Sequence, residues 1–143
     1  MNSRHNPDIR LRRAYDAPDP SDGRRILIDR IWPRGVSKDQ LRLDAWMKDL
    51  APTSALRIWF GHAPSRWEAF KDRYARELDG RADAVEALLA LCRRGTVTLV
   101  FAARDTQHSN AVALREYLLR RLGEAPSRDG ASGAETDRKP AAR

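Results

Sequence analysis

Ile26-Leu27-Ile28-Asp29-Arg30-Ile31-Trp32-Pro33-Arg34-Gly35-Val36-Ser37-Lys38 decides the fold of this 143-residue chain. It opens as a run of aliphatic, largely β-branched residues, turns charged at its carboxyl end, and passes through a Pro- and Gly-containing turn into a helix start. A strand without polar alternation is covered on both faces, as in a parallel sheet between helices. Ligands of such sheets gather beyond the carboxyl ends of the strands, which puts Arg30, Trp32 and Arg34 where a ligand is expected.

A second strand of the same kind, Thr96 to Ala102, lies between Gly95 and the polar loop Arg104-Asp105-Thr106-Gln107-His108. Earlier in the chain Ile9, Leu11, Arg13 and Tyr15 alternate with Arg10, Arg12 and Ala14, the period-two pattern of a short strand near a sheet edge. Ala17 to Gly23 collects turn formers and reads as a surface loop. Ser37 and Gln40 have the spacing of a capping box, which predicts a helix of about a dozen residues carrying Leu41, Ala45 and Trp46 and stopped by Pro52. Further helices are predicted over Ser54–Phe60, Ser65–Leu78, Arg81–Arg94 and Ser109–Leu122. Gly61 and Gly80 are placed as left-handed caps of the first two. Trp67, Phe70, Tyr74 and Leu78 share one face of the second, and Val85, Leu88, Leu89 and Cys92 one face of the third.

Two apolar strands joined by a long helical segment imply a parallel crossover. The expected fold is α/β: a small three-layer domain with a short, mostly parallel sheet of about three strands and four to five helices. Three strands leave an edge to be covered, by a strand hidden in a loop or by a second subunit, so a homodimer is one reading. The domain spans 8–122, after a flexible N-terminus at 1–7 and before a C-terminal tail at 123–143 with almost nothing to bury, expected to be disordered. Residues 8–122 carry 22 Lys and Arg against 16 Asp and Glu, nearly all of the chain's net charge of +7. That excess favours anionic partners, although 23 of the 27 basic residues are Arg, which compositional bias also produces. One cysteine and no apolar run of spanning length point to a cytoplasmic protein that does not enter a membrane.

If the two apolar strands are neighbours, Asp29 and Arg30 meet Arg104 and Asp105 at their ends, with Arg34, Lys38, His108 and Asn110 supplied by the following loops. The helix starting near Ser109 adds a positive dipole end. In this reading Arg30, Trp32, Arg34, Lys38, Arg104 and Asn110 bind ligand. Asp105 and His108 are the candidate catalytic pair, because imidazoles as a class change charge near neutrality. The structural alternative has Asp29 paired with Arg104 inside the sheet and Asp105 capping the last helix. His62 is a secondary candidate, and Cys92 reads as a buried filler. No phosphate loop, dinucleotide fingerprint, nucleophile elbow or zinc-ligand spacing is present. No cofactor or resident metal is therefore expected; an Mg²⁺ carried in with a phosphate at Asp29 or Asp105 is the one alternative.

Asp29 to Lys38, Leu50-Ala51-Pro52-Thr53 with Leu56 to His62, and Val97 to Asn110 with Ala103-Arg104-Asp105 together resemble the YeaO-like branch of the domain of unknown function 488 family. The resemblance covers about Ile9 to Leu122, with the tail outside it, and implies a small cytoplasmic bacterial protein. Broader members of that family carry cysteines after the last strand and near the final helix start. This chain has Ala102-Ala103 and Ser109-Asn110 there, so thiol chemistry is not carried over. The expected function is an anion-binding crevice for a phosphorylated or nucleotide-like small molecule, which it binds or processes. The alternative is a non-enzymatic nucleic-acid-binding or regulatory module, which would spread Arg24, Arg25, Arg42, Arg93, Arg94, Arg120 and Arg121 into one basic face.

Overall fold

Ile26, Leu27 and Ile28 are fully buried in the computed structural model, which describes residues 7–124. Ile26 and Leu27 end, and Ile28 directly follows, the second of four strands: β1 (Ile9–Arg13), β2 (Arg24–Leu27), β3 (Ala45–Trp46) and β4 (Val97–Phe101). The sheet is wholly parallel in the order β1-β4-β2-β3, with Arg24 opposite Val97 and Leu27 opposite Val100. The two apolar strands are thus neighbours, and the first strand lies at an edge.

Alternate residues of β2 and β4 serve two cores, because successive side chains leave a strand on opposite faces. Ile26, Ile28, Val97, Leu99 and Phe101 belong to the large core. It is completed by four helices, α2 (Ser54–Phe60), α3 (Trp67–Asp79), α4 (Ala82–Arg94) and α5 (Asn110–Glu124). Leu27 and Val100 point the other way, into a small core with Ala14, Leu41, Trp32, Val36 and Trp46 around α1 (Lys38–Leu41). The helix faces expected to be apolar are the buried ones: Trp67, Phe70, Tyr74 and Leu78 on α3, and Val85, Leu88, Leu89 and Cys92 on α4.

The predicted dozen-residue helix after Ser37 is the main difference. Its capping box forms, Ser37 and Gln40 each accepting the other's backbone N–H, but the helix ends after four residues when Arg42 turns left-handed (φ 50°, ψ 55°). The open edge of β2 captures the chain: Asp44 N–H donates to Arg25 O, Met47 N–H to Leu27 O, and the Asp44 carboxylate accepts Arg25 N–H. Ala45 and Trp46 become the fourth strand, so the argument from three strands for a covering subunit no longer applies. Gly61 is a left-handed cap (φ 54°), whereas Gly80 is not (φ −81°), its N–H reaching Arg76 O and Glu77 O within the ordinary backbone region. Gly23 is required sterically: at φ 64° a Cβ there would lie 2.2 Å from Thr96 O.

The last helix continues through Gly123 to Glu124, two residues past the expected boundary. The flexible-terminus expectations for 1–7 and 123–143 otherwise lie outside the described residues, residue 7 excepted. No helix among the described residues is long and apolar enough to cross a membrane.

Candidate functional site

The strands β2 and β4 stay bonded through Ile28 N–H to Val100 O (3.1 Å). One step further a side chain takes the rung, Ala102 N–H donating to Asp29 Oδ2 at 2.9 Å. Beyond it the chain leaving β2 crosses to the small core, while that leaving β4 enters α5 on the large-core side. Neighbouring strands whose connections depart to opposite faces open a crevice at their carboxyl ends. Here the crevice is a cavity of about 380 Å³, bounded by Asp29 to Arg34, Ala51-Pro52, the end of α2 and the start of α5.

Asp29 forms the floor. Its second oxygen accepts Asn110 Nδ2 at 3.0 Å. Burial pushes the carboxyl above the usual range, outweighing the opposite pull of Asn110, Ala102 N–H and the Arg57 charge. Asn110 is the first residue of α5, so the positive end of a fifteen-residue helix faces the same space.

The cavity's cations come from two elements. Arg34 stands exposed in the turn before Gly35, which has φ 79°. Arg57 projects from α2, and its chain then turns left-handed twice, at Gly61 (φ 54°) and His62 (φ 57°), bringing His62 to the lining. A left-handed non-glycine costs roughly 1 kcal/mol or more, and such backbone collects at functional sites. Arg30 is partly engaged, its Nη2 lying 3.3 Å from Pro52 O. Trp32 is fixed by its Nε1–H to Val36 O (2.6 Å) and by edge contact with Trp46, with ring centroids 5.4 Å apart. It lines the cavity by its ring, with its N–H already bonded.

Phe60 and Phe70 stack at 4.6 Å, and Phe70 stacks with Trp67 at 5.7 Å, forming an aromatic wall. His108 meets the Trp67 ring nearly at right angles, 5.2 Å between centroids. Its Nδ1 lies 3.0 Å from Asp105 Oδ2. Gln107 N–H first, then the His108 ring, hold the Asp105 carboxyl below its usual range. Facing that carboxylate, Nδ1 is the ring nitrogen placed to donate.

The structure therefore gathers Arg30, Trp32, Arg34, His108 and Asn110 around one cavity and leaves Lys38 and Arg104 off its lining. Lys38 sits on α1 on the small-core side, and Arg104 is exposed on the loop after β4. Asp105 touches the cavity only through His108 and closes its own loop by accepting Gln107 N–H and His108 N–H. The alternative pairing of Asp29 with Arg104 is not formed: the carboxylate accepts from Asn110 and Ala102 while Arg104 stays exposed, and Ser109 Oγ, not Asp105, accepts an N–H in the first turn of α5. Arg57 was missed by the sequence reading. Its signal was available: it lies four residues before Gly61 on the unburied side of a helix whose end leads to His62.

A larger, more open depression of about 560 Å³ runs from Arg30 to the Gly80–Ala84 turn. Its Arg81 is already bonded to the carbonyls of Asp49 and Ala51. No group of three or more His, Cys, Asp or Glu among the described residues is arranged to hold a metal ion.

Residues 8–136 match the family model described as "Inactive DUF488-N3 subclade", a match that extends past Leu122. An uncharacterized protein of Mycobacterium tuberculosis (strain CDC 1551 / Oshkosh) is 44% identical over 110 residues, 77% of this chain and 92% of the relative. The uncharacterized protein YeaO of Escherichia coli (strain K12) is 34% identical over 111 residues, 78% of this chain and 96% of the relative. No solved structure matches the chain.

Proposed function

This chain belongs to the DUF488 family, matching its inactive N3 subclade and sharing YeaO as a relative; from that premise we propose that it is a binding protein for a small phosphorylated or nucleotide-like anion held in the cavity between β2 and β4. The observation that carries the reading is the convergence of Arg34, Arg57 and His62 with the positive end of α5 on one cavity. Guanidiniums grip phosphate through paired N–H donors, and a helix start adds to the same field. Phe60 and Phe70 add apolar surface to the lining.

Binding without turnover suits the lining. It holds no thiol, and its one hydroxyl, that of Ser109, accepts Val112 N–H at 3.4 Å. Cys92 lies elsewhere, inside α4, its thiol pushed up to about 11 by burial, which fits a reducing cytoplasm better than catalysis. The basic-face alternative is less well supported, since Arg25 is buried against Asp22 (2.7 Å) and Arg93 and Arg121 both pair with Glu86.

A thermal-shift titration with AMP on the parent and on Arg34→Ala tests the reading. Arg34 is exposed, so the variant keeps the fold. The expected result is a saturable rise in Tm for the parent and at least a tenfold weaker response in the variant. Equal stabilisation of the two proteins, or of neither, contradicts it.

A further inference from the structure

The two ends of the cavity ask for different chemistry. At the mouth, Arg34 and Arg57 offer only donors. At the floor, Asp29 offers acceptors: a carboxylate has about four lone-pair directions, of which Ala102 N–H and Asn110 Nδ2 take two. Among the described residues no other donor bonds to the Asp29 carboxylate, and the amide oxygen of Asn110 is also left without a donor. Asp29 and Asn110 both line the cavity.

A phosphate oxygen set against the two remaining lone-pair directions of Asp29 would meet acceptor against acceptor. A hydroxyl there would instead donate to those free acceptor positions. We infer that the ligand is a hydroxylated monophosphate of the sugar-phosphate class, its phosphate at Arg34 and Arg57 and its hydroxyls donating to Asp29 and Asn110. This rests on the anion-binding reading given above and narrows it. The cavity agrees in size: about 380 Å³ is near the low end of the roughly 300–1,000 Å³ typical of small-molecule sites, room for a five- or six-carbon phosphate. The same carboxylate works against ligands that are anionic at both ends, such as bisphosphates.

Calorimetric titration of the full chain with ribose 5-phosphate and with n-butyl phosphate separates the parts, because the second keeps the phosphate and removes the hydroxyls. The parent is expected to bind ribose 5-phosphate at least tenfold more tightly. Asp29→Asn is expected to cut that preference to threefold or less. Equal affinity of the parent for the two ligands overturns the hydroxyl assignment yet leaves anion binding standing, and this outcome needs no variant. An unchanged preference in a folded Asp29→Asn also overturns it. If neither ligand binds the parent, the anion-binding reading itself fails.

Discussion

Asp29 keeps a carboxylate where burial disfavours the charge, and the protein spends an Asn side chain and a backbone N–H to hold it. A perturbed acid that faces a cavity marks a candidate functional site. The sign of the linkage makes this measurable. A carboxyl raised above its unfolded value of 3.8 binds its proton more tightly in the folded chain. Its proton-linked stabilisation is complete below the unfolded value and is lost as pH rises through the folded one. The stability of the parent relative to Asp29→Ala should therefore fall as pH rises above the unfolded value of 3.8. Parallel urea titrations of the two proteins remove the contributions of other groups from the difference. A flat or rising difference would show that the carboxyl is not raised.

Elements divide by whether their determinants are local. The apolar runs of β2 and β4 and the faces of α3 and α4 were legible, since burial on two faces or on one stripe is written in consecutive residues. The start of α1 was legible in its capping box, but its early end and the existence of β3 were not. Leu41, Ala45 and Trp46 fit a helical face as well as they fit the small core, and the decision fell to hydrogen bonds with β2, a partner about 20 residues earlier. The turn before β2 depends on a similar long-range lock. Asp22 takes Arg12 and the buried Arg25, and Arg25 in turn donates to Leu41 O at 2.9 Å. Removing one partner of a buried pair strands the other, at a cost of about 3–5 kcal/mol. Asp22→Ala should thus lose about 3 kcal/mol in chemical denaturation. Arg10→Ala, which breaks the exposed pair with Asp8, should lose far less. Comparable losses would mean that the Arg25 site is not buried as described.

At the scale of the whole molecule the site follows from topology. Two neighbouring strands send their chains to opposite faces, and the gap between them collects the residues that each connection carries. The gap's position was legible because strand ends are where parallel sheets bind ligands, and Arg30, Trp32, Arg34, His108 and Asn110 all border it. Arg104 and Lys38 look equivalent in sequence, but one loop turns outward and one helix lies on the far face. Arg57 and His62 come from the helical crossover, whose approach to the strand ends no local pattern records. The most direct test of the account is a ¹⁵N-resolved NMR titration of the chain with ribose 5-phosphate. The account predicts saturable shifts concentrated at the amides of Asp29, Arg34, Gly61, His62, Ala102 and Asn110. Shifts centred instead on Arg24, Arg42 and Arg94, or none at all, would contradict it.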